Sequence, residues 1–210
     1  MIIRLILLAV LTYFLASVNS SMLISRNVFQ NDVGHALSYS RMFELHNRRG
    51  VIYLVVVEFF KAMLVILIGG LCLRGPGFAS VGKLTAVLIA LLAQAYPFFN
   101  GFRPYRNVVW PALLLLMYDW RICLICVVVF AVVVTVTRLI SLGACAAAVV
   151  FPILVVLFGG WWLKIVLALL CALVILYIYR SGIMRLIAKK EPSRRENDPP
   201  AETADTESAE

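Results

Sequence analysis

Long apolar runs constrain this chain more than any other feature. Near-continuous Leu, Ile, Val and Ala recur from residue 2 to residue 179, and only 14% of the 210 residues are charged. A soluble domain needs more polar residues to cover its surface, whereas apolar stretches that approach ~20 residues are typical of helices that cross a bilayer. The mean hydropathy of +0.97 agrees. The sequence therefore predicts an all-α fold, a polytopic membrane bundle of helices.

The apolar runs predict about seven transmembrane helices, with six as the alternative count. Gly159-Gly160 is the only clear break between the last two runs. An N-terminus outside the cell and a cytoplasmic C-terminus place most arginines on the inner face, as the positive-inside rule expects. The first run also resembles a secretory signal, but a retained first helix is favoured. The predicted helices cover residues 2–24, 51–73, 82–98, 108–118, 122–137, 141–158 and 160–187.

Charge divides the chain into two parts. The tail, residues 191–210, contains seven acidic and two basic residues, whereas residues 1–190 contain 17 basic and four acidic residues. A tail so rich in Pro, Glu, Ser and Thr cannot bury enough apolar surface to fold, and it is predicted to be a disordered acidic cytoplasmic segment. The basic membrane domain, residues 1–190, is expected to lie against anionic lipid headgroups or to bind phosphate-bearing substrates.

Two ionisable residues lie inside an apolar run. Glu58 and Lys61 are three residues apart on one helix face. Each would cost about 2.5–3.5 kcal/mol at a helix centre if left unpaired. We interpret them as a structural pair whose charges neutralise each other, in preference to direct catalysis. The pair also indicates where a polar cavity lies within the bundle.

The stretch AQAYPFFNGFRPYRN, residues 93–107, places two arginines between two apolar runs. Pro97 and Gly101 can break the helix, and irregular backbone at membrane depth is tolerated where it is buried in protein or lines a wet cavity. Arg103 and Arg106 are predicted to project into such a cavity, because the guanidinium fork suits bidentate contact with phosphate. A simple inner-face anchor explains the two charges equally well.

Further polar residues gather at the face that the predicted topology makes cytoplasmic. TRLISLGAC (137–145) contributes Arg138 and Ser141, and YIYRSGIMRLIAKKE (177–191) contributes Arg180 and Arg185. The first loop, residues 26–50, mixes charged and apolar residues and is predicted to lie along the membrane interface. A transporter is disfavoured, because these polar residues gather on one face instead of lining a path across the membrane.

Several kinds of site are excluded by the motifs that the sequence lacks. There is no Walker loop, no His-Glu-x-x-His and no nucleophile elbow. Neither histidine has an Asp five residues further on. Cys123 and Cys126 have the spacing of a redox or zinc pair, but no second pair or nearby His accompanies them. Neither a metal nor a cofactor is predicted, and no nucleic-acid partner is expected.

The order of these features resembles the bacterial acyl-phosphate:glycerol-3-phosphate acyltransferases, the PlsY family, from Thr12 to Glu191. TYFLASVNSSMLISR is similar to the opening Tyr-Leu-x-Gly-Ser pattern, and Glu58 and Lys61 stand where the family has Asp-x-x-Lys-Gly. AQAYPFFNGFRPYRNV is similar to Gly-His-x-x-Pro-x-Phe-x-x-Phe-Lys-Gly-Gly-Lys-Gly-Val, with Arg103 and Arg106 at the lysines. TRLISLG matches Thr-Arg-x-x-Ser-Leu-Gly, and YRSGIMRLIAKKE is similar to His-Arg-x-Asn-Ile-x-Arg-Leu-x-x-Gly-x-Glu.

The chain departs from the family in its glycine-rich loops. The first loop reads GHALSYSRM where the family has Gly-Ser-Gly-Asn-x-Gly-Ala-Thr-Asn, so Ser38, Ser40 or Arg41 is expected to replace the phosphate-binding residues. Pro104-Tyr105 replaces Gly-Gly, which removes backbone freedom that a nest of N–H groups around an anion needs. Tyr179 and Gly182 replace the His and Asn of the last motif.

The resemblance implies acyl transfer from acyl phosphate to glycerol 3-phosphate, giving lysophosphatidic acid for phospholipid synthesis. Arg106 and Ser141 are the expected catalytic residues, and the implied setting is the cytoplasmic (inner) membrane of a bacterium, in contact with membrane lipids. A non-catalytic relative that binds lipids or partner proteins is the alternative. The remaining residues expected to bind substrate are Arg103, Ser38, Ser40, Arg41, Arg138, Arg180 and Arg185.

Overall fold

The chain forms a bundle of α-helices, as the sequence predicts. The computed structural model describes residues 2–30, 39–73, 75, 78–98, 107–158 and 161–187. The acidic tail, residues 191–210, lies outside the described residues. Eight helices occur within the described ranges: α1 (Ile2–Ser17), α2 (Ser20–Asn27), α3 (Tyr39–Cys72), α4 (Phe78–Ala95), α5 (Val109–Tyr118), α6 (Trp120–Thr137), α7 (Ile140–Leu157) and α8 (Trp162–Ile187).

Five of these helices, α3, α4, α6, α7 and α8, are long and apolar enough to cross a membrane. A sixth span results if α1 and α2 are counted together across their 52° bend. Helix α5 has ten residues, and at 1.5 Å per residue it covers about 15 Å, half of a ~30 Å hydrocarbon core. The count of seven spans is therefore not confirmed, and the orientation of the termini stays a prediction.

The predicted continuous helix 2–24 is wrong, because the chain breaks at Val18 and Asn19. Asn19 has an extended backbone (φ −81°, ψ 102°), and its side chain accepts a hydrogen bond of 2.8 Å from Ser21 Oγ. Short polar side chains such as Asn and Ser offer the backbone alternative hydrogen bonds, which favours a helix end over a helix interior. The break leaves carbonyl groups near the end of α1 without helical partners.

The predicted loop 26–50 is wrong over its second half, because α3 begins at Tyr39. Asn47 interrupts the helix with φ 56° and ψ −161°, and its side chain accepts a hydrogen bond from Arg48 N. The segment packs against α2, where Ile24, Met42 and Leu54 form a small apolar cluster. This contact extends α3 well beyond the apolar run that the sequence analysis used.

Aromatic side chains mark the two ends of the bundle. Phe78 and Trp161 stack edge to face at 5.6 Å, beside Trp162. At the opposite end, Tyr96 OH donates a 2.7 Å hydrogen bond to Tyr177 OH. The 18 residues of α4 between these levels cover about 27 Å, close to the ~30 Å hydrocarbon thickness. Such belts are typical of membrane–water interfaces.

Candidate functional site

The ends of several helices meet at the face that carries Tyr96. Tyr13 OH donates to Tyr96 O at 2.7 Å, which joins α1 to the end of α4. Phe98 N donates to Ser17 Oγ, also at 2.7 Å. An apolar cluster brings the start of α7 and the last turns of α8 to the same level; its buried members are Ala95, Ala144, Cys145, Ile178 and Tyr179.

A small polar cavity of about 40 Å³ lies just beneath this face. It is bounded by the break between α1 and α2, the middle of α3, the end of α4 and the start of α5. Its size suits a water molecule or a small polar group. The residues that line it are Ala16, Ser17, Val18, Asn19, Ser20, Glu58, Lys61, Ala93, Gln94, Pro97, Asn107 and Trp110.

Lys61 is held by the break between α1 and α2. Its Nζ donates hydrogen bonds to Val18 O at 2.7 Å, to Ser20 Oγ at 3.3 Å and to Ala16 O at 3.4 Å. The ammonium also lies 4.7 Å from the ring centre of Trp110, a cation–π distance. These three acceptors match the three N–H donors of an ammonium group.

Glu58 makes its hydrogen bonds on the other side of the cavity. Its carboxylate accepts from the Tyr39 hydroxyl and from Asn107 Nδ2, at 2.8 Å and 3.1 Å. Only 4% of Glu58 is exposed. The predicted pair thus lies at one cavity, but no direct salt bridge joins the two side chains. Each charge is stabilised chiefly by hydrogen bonds to other groups.

Asn107 connects three parts of the site. Its Oδ1 accepts from Val109 N at 3.0 Å and Trp110 N at 3.4 Å, which caps the first turn of α5. Its carbonyl oxygen accepts a 2.9 Å hydrogen bond from Gln94 Nε2 on α4. Together with the bonds to Glu58, these contacts attach the start of α5 to both α3 and α4.

A larger, apolar cavity of about 290 Å³ lies between α4, α5, α6, α7 and α8. Its wall begins at Val108, directly after Asn107 of the polar cavity, so the two cavities flank the start of α5. Cys123 and Cys126 belong to this wall. No group of three or more potential metal ligands occurs in the described part of the chain.

The structure places only some of the predicted site residues. Ser141 lies in the first turn of α7 and is half-buried, and Arg138 occupies the left-handed position that ends α6 (φ 58°). Arg180 is exposed on α8, with its guanidinium 4.4 Å from the ring centre of Tyr177. None of these three lines either cavity. They share the face at which α1 and α4 end.

Other predicted residues lie outside what can be described. Ser38, Arg103 and Arg106 are not among the described residues. For Ser40, Arg41 and Arg185, the structure describes the helical backbone but not the side chain. Pro97 and Asn107, which flank residues 98–106, both line the polar cavity. That Arg103 and Arg106 project into a cavity therefore stays a prediction.

Sequence reasoning missed several polar residues of the cavity, among them Gln94 and Asn107. Both occur in the stretch that the sequence analysis singled out, at the positions of the family's His and of the last Gly of its motif. The signal available in the sequence was that Gln94 and Asn107 are uncharged polar residues at the edges of apolar runs. The sequence analysis instead assigned the polar function of this stretch to its two arginines. Ser17, Ser20 and Tyr39 were missed because nothing in the sequence shows that they meet Glu58 or Lys61.

Comparisons with known proteins place this arrangement in a family. A family model described as glycerol-3-phosphate acyltransferase matches residues 6–189. A relative of that name from Parasynechococcus marenigrum is 33% identical over 110 residues, and the match covers 52% of each chain, about half of the relative's length. A relative from Methylococcus capsulatus, also of that name, is 27% identical over 190 residues, covering 88% of this chain and 93% of its own.

The fold also matches crystal structures of PlsY (YgiH), described as an integral membrane glycerol 3-phosphate acyltransferase. The lysophosphatidic acid form has a TM-score of 0.74 and the glycerol 3-phosphate form 0.70. Both are 18% identical, covering 90% of this chain and 94% of theirs. The family model spans most of the chain and the fold agrees with it. This chain therefore belongs to the glycerol-3-phosphate acyltransferase family.

Proposed function

We propose that this chain transfers an acyl group from an acyl phosphate to glycerol 3-phosphate, releasing lysophosphatidic acid and inorganic phosphate. The arrangement of the two cavities is the observation that carries the proposal. A small polar cavity lies at the membrane face, and an apolar cavity of about 290 Å³ lies beside it across the start of α5. A phosphate head and an alkyl tail are the two parts of an acyl phosphate, and membership of the family supports the same reaction.

The acyl tail is assigned to the apolar cavity. The lining lies between Val108 and Leu115 on α5 and between Cys171 and Tyr179 on α8, which corresponds to a depth of about 10–12 Å at 1.5 Å per residue. An alkyl chain in this cavity stays out of water, as it does in the lipid bilayer, so the cavity holds the donor without exposing its tail. The reactive acyl phosphate then remains near the membrane face.

The phosphate-bearing groups are assigned to basic residues by the resemblance. Arg103 and Arg106 hold the phosphate of the donor, together with Ser38 and with Ser40 and Arg41 from the first turn of α3. The acceptor is assigned to Ser141 and to inner-face arginines. That set is Arg138, Arg180 and Arg185.

The reaction needs no covalent enzyme intermediate. The primary hydroxyl oxygen of glycerol 3-phosphate attacks the acyl carbonyl carbon, and the bond from that carbon to the bridging phosphate oxygen breaks. The electron pair leaves with the phosphate, and a phosphate oxygen takes the hydroxyl proton. The protein contributes by holding the two substrates together and by neutralising their anionic charge.

The proposed setting is the cytoplasmic face of a bacterial inner membrane. Arg180 lies at the face where the helix ends meet, and Arg138, at the end of α6, shares that face. Reporter fusions at the two termini test this orientation. A reporter that is active only in the cytoplasm is expected to give signal when it is fused to the C-terminus. Signal from a C-terminal reporter that is active only in the periplasm would contradict the assignment.

The decisive experiment is a turnover assay with the purified protein. Long-chain acyl phosphate and glycerol 3-phosphate are supplied, and phosphate and lysophosphatidic acid are both measured. We expect both products in equal amounts and a loss of about 100-fold or more for Arg106→Ala and Ser141→Ala, the range seen when a transition-state contact is removed. Arg121→Ala, at the opposite end of the bundle, is the matched control.

The same assay separates catalysis from binding alone. Folded wild-type protein that binds acyl phosphate without releasing phosphate would contradict the enzyme proposal. That outcome would favour a non-catalytic lipid-binding relative, in line with the replacement of Gly-Gly by Pro104-Tyr105.

A further inference from the structure

We propose that Glu58, Gln94 and Asn107 form a positioning cluster that replaces the family's Asp, His and Gly at these three positions. The three residues come from α3, from α4 and from the chain just before α5, yet hydrogen bonds join them into one group. All three are buried: 4% of Glu58, 6% of Gln94 and 2% of Asn107 is exposed. These departures from the family pattern therefore meet at one place in the fold.

The replacements at positions 58 and 107 depend on one another, and Gln94 joins them through the backbone carbonyl of Asn107. A glycine at position 107 has no side chain to donate to Glu58, so the carboxylate would lose its two contacts with Nδ2. An aspartate at position 58 is one methylene shorter, so its carboxylate would end further from Asn107. A buried carboxylate needs such donors, because desolvation without hydrogen bonds is costly. A change at either position alone is therefore unfavourable, whereas the change at both is compatible.

The cluster fixes the start of α5 at the wall of the polar cavity. Asn107 caps the first turn through Val109 N and Trp110 N, while Glu58 and Gln94 hold its side chain and its carbonyl oxygen. In the chain, Asn107 directly follows Arg106. The cluster acts through that neighbour and through the cavity wall, so its members are positioning residues. For its kinetic effect, the inference rests on the proposed function.

A swap of the two side chains tests this inference. In Asn107→Asp, two carboxylates face each other, and like charges at such a distance oppose ionisation of both. In the double variant Glu58→Gln/Asn107→Asp, the new amide at position 58 donates to the new carboxylate at position 107. Aspartate can still cap α5. The double variant therefore restores the contact with donor and acceptor exchanged.

The expected readout is a change in KM. Asn107→Asp should raise the KM for acyl phosphate about ten-fold or more at neutral pH, with little change in kcat, as expected for loss of positioning of a bound group. The double variant should return to within about three-fold of wild type, a coupling typical of residues in contact.

Asn27→Asp makes the same chemical change at an exposed position of α2 and should leave KM unchanged. The proposal is overturned if the double variant is as impaired as Asn107→Asp, either in KM or in the yield of folded protein. Wild-type protein is measured first. If wild-type protein shows no turnover, the proposed function is contradicted. The stabilities of wild type, Asn107→Asp and the double variant are then compared by thermal unfolding. Turnover by wild type, with a double variant no better than Asn107→Asp, contradicts the cluster alone.

Gln94 has its own test within the same experiment. Gln94→Met keeps the length of the side chain but removes the donor to Asn107 O. It should raise the KM for acyl phosphate several-fold and leave kcat near the wild-type value. A wild-type KM in Gln94→Met would exclude Gln94 from the cluster.

Discussion

At the scale of single residues, the charge of Lys61 is explained by a defect in the neighbouring helix. The chain breaks between α1 and α2, and the break exposes Ala16 O and Val18 O to the cavity. An ammonium at membrane depth is costly unless its donors are satisfied, and carbonyls that have lost helical partners are ready acceptors. The helix break and the half-buried lysine therefore stabilise each other.

Lys61→Met should destabilise the protein measurably. The substitution keeps the apolar stem but removes every donor to Ala16 O, Val18 O and Ser20 Oγ, so we expect a loss of about 1–3 kcal/mol in the free energy of unfolding. Thermal unfolding in detergent measures it. Lys164→Met, near the start of α8 at the opposite end of the bundle, is the control and should shift the midpoint little. Equal shifts in both variants would contradict the role of Lys61.

At the scale of helices, close packing of α3 against α4 depends on two glycines. A Cβ atom on Gly82 would lie 2.2 Å from Gly69 O, and one on Gly69 would lie 2.7 Å from Gly82 O. Small residues allow membrane helices to approach closely, since lipid supplies no hydrophobic force between them. The contact lies near the ends of the two helices, on the side away from the polar cavity.

Gly82→Ala should therefore be much more damaging than Gly70→Ala. The first substitution forces backbone apart, and overpacking of this kind costs about 1–3 kcal/mol. At Gly70 the nearest atom to a new Cβ is Lys83 Cε at 3.3 Å, the flexible part of a long side chain. Unfolding midpoints of the two variants, each compared with wild type, provide the measurement. A similar midpoint for both would show that α3 and α4 are not held by this contact.

At the scale of the whole molecule, the sequence predicted the class of fold because hydropathy is a local property. The break at Asn19 was missed, since averaging over an apolar run hides a two-residue interruption. The polar start of α3 was missed because it is stabilised by packing against α2. The contacts of Asn107 with Glu58 and with Gln94 join residues 49 and 13 positions apart. Such contacts depend on how helices pack, so no local pattern could have predicted them.

The last prediction concerns the length of the acyl chain that the bundle accepts. Phe151 and Cys171 line the end of the apolar cavity that is remote from the polar face, with Ala148 above them. The depth of about 10–12 Å is less than the ~15 Å of one leaflet of the hydrocarbon core. A wall at this depth limits the chain, so Ala148→Leu should shift the preference toward shorter acyl phosphates and Phe151→Ala toward longer ones.

Turnover of a series of saturated acyl phosphates of increasing length measures this preference, as the ratio of kcat/KM between long and short members. Filling or emptying the space of one methylene changes the discrimination between two substrates by about 1–3 kcal/mol, which corresponds to roughly 10–200-fold in that ratio. Val149→Leu is the matched control, because Val149 is the next residue on α7 and is 52% exposed on the outer surface. Its ratio should equal that of wild type. Equal changes in all three variants would place the acyl chain outside this cavity, because Ala148 and Phe151 line it and Val149 does not.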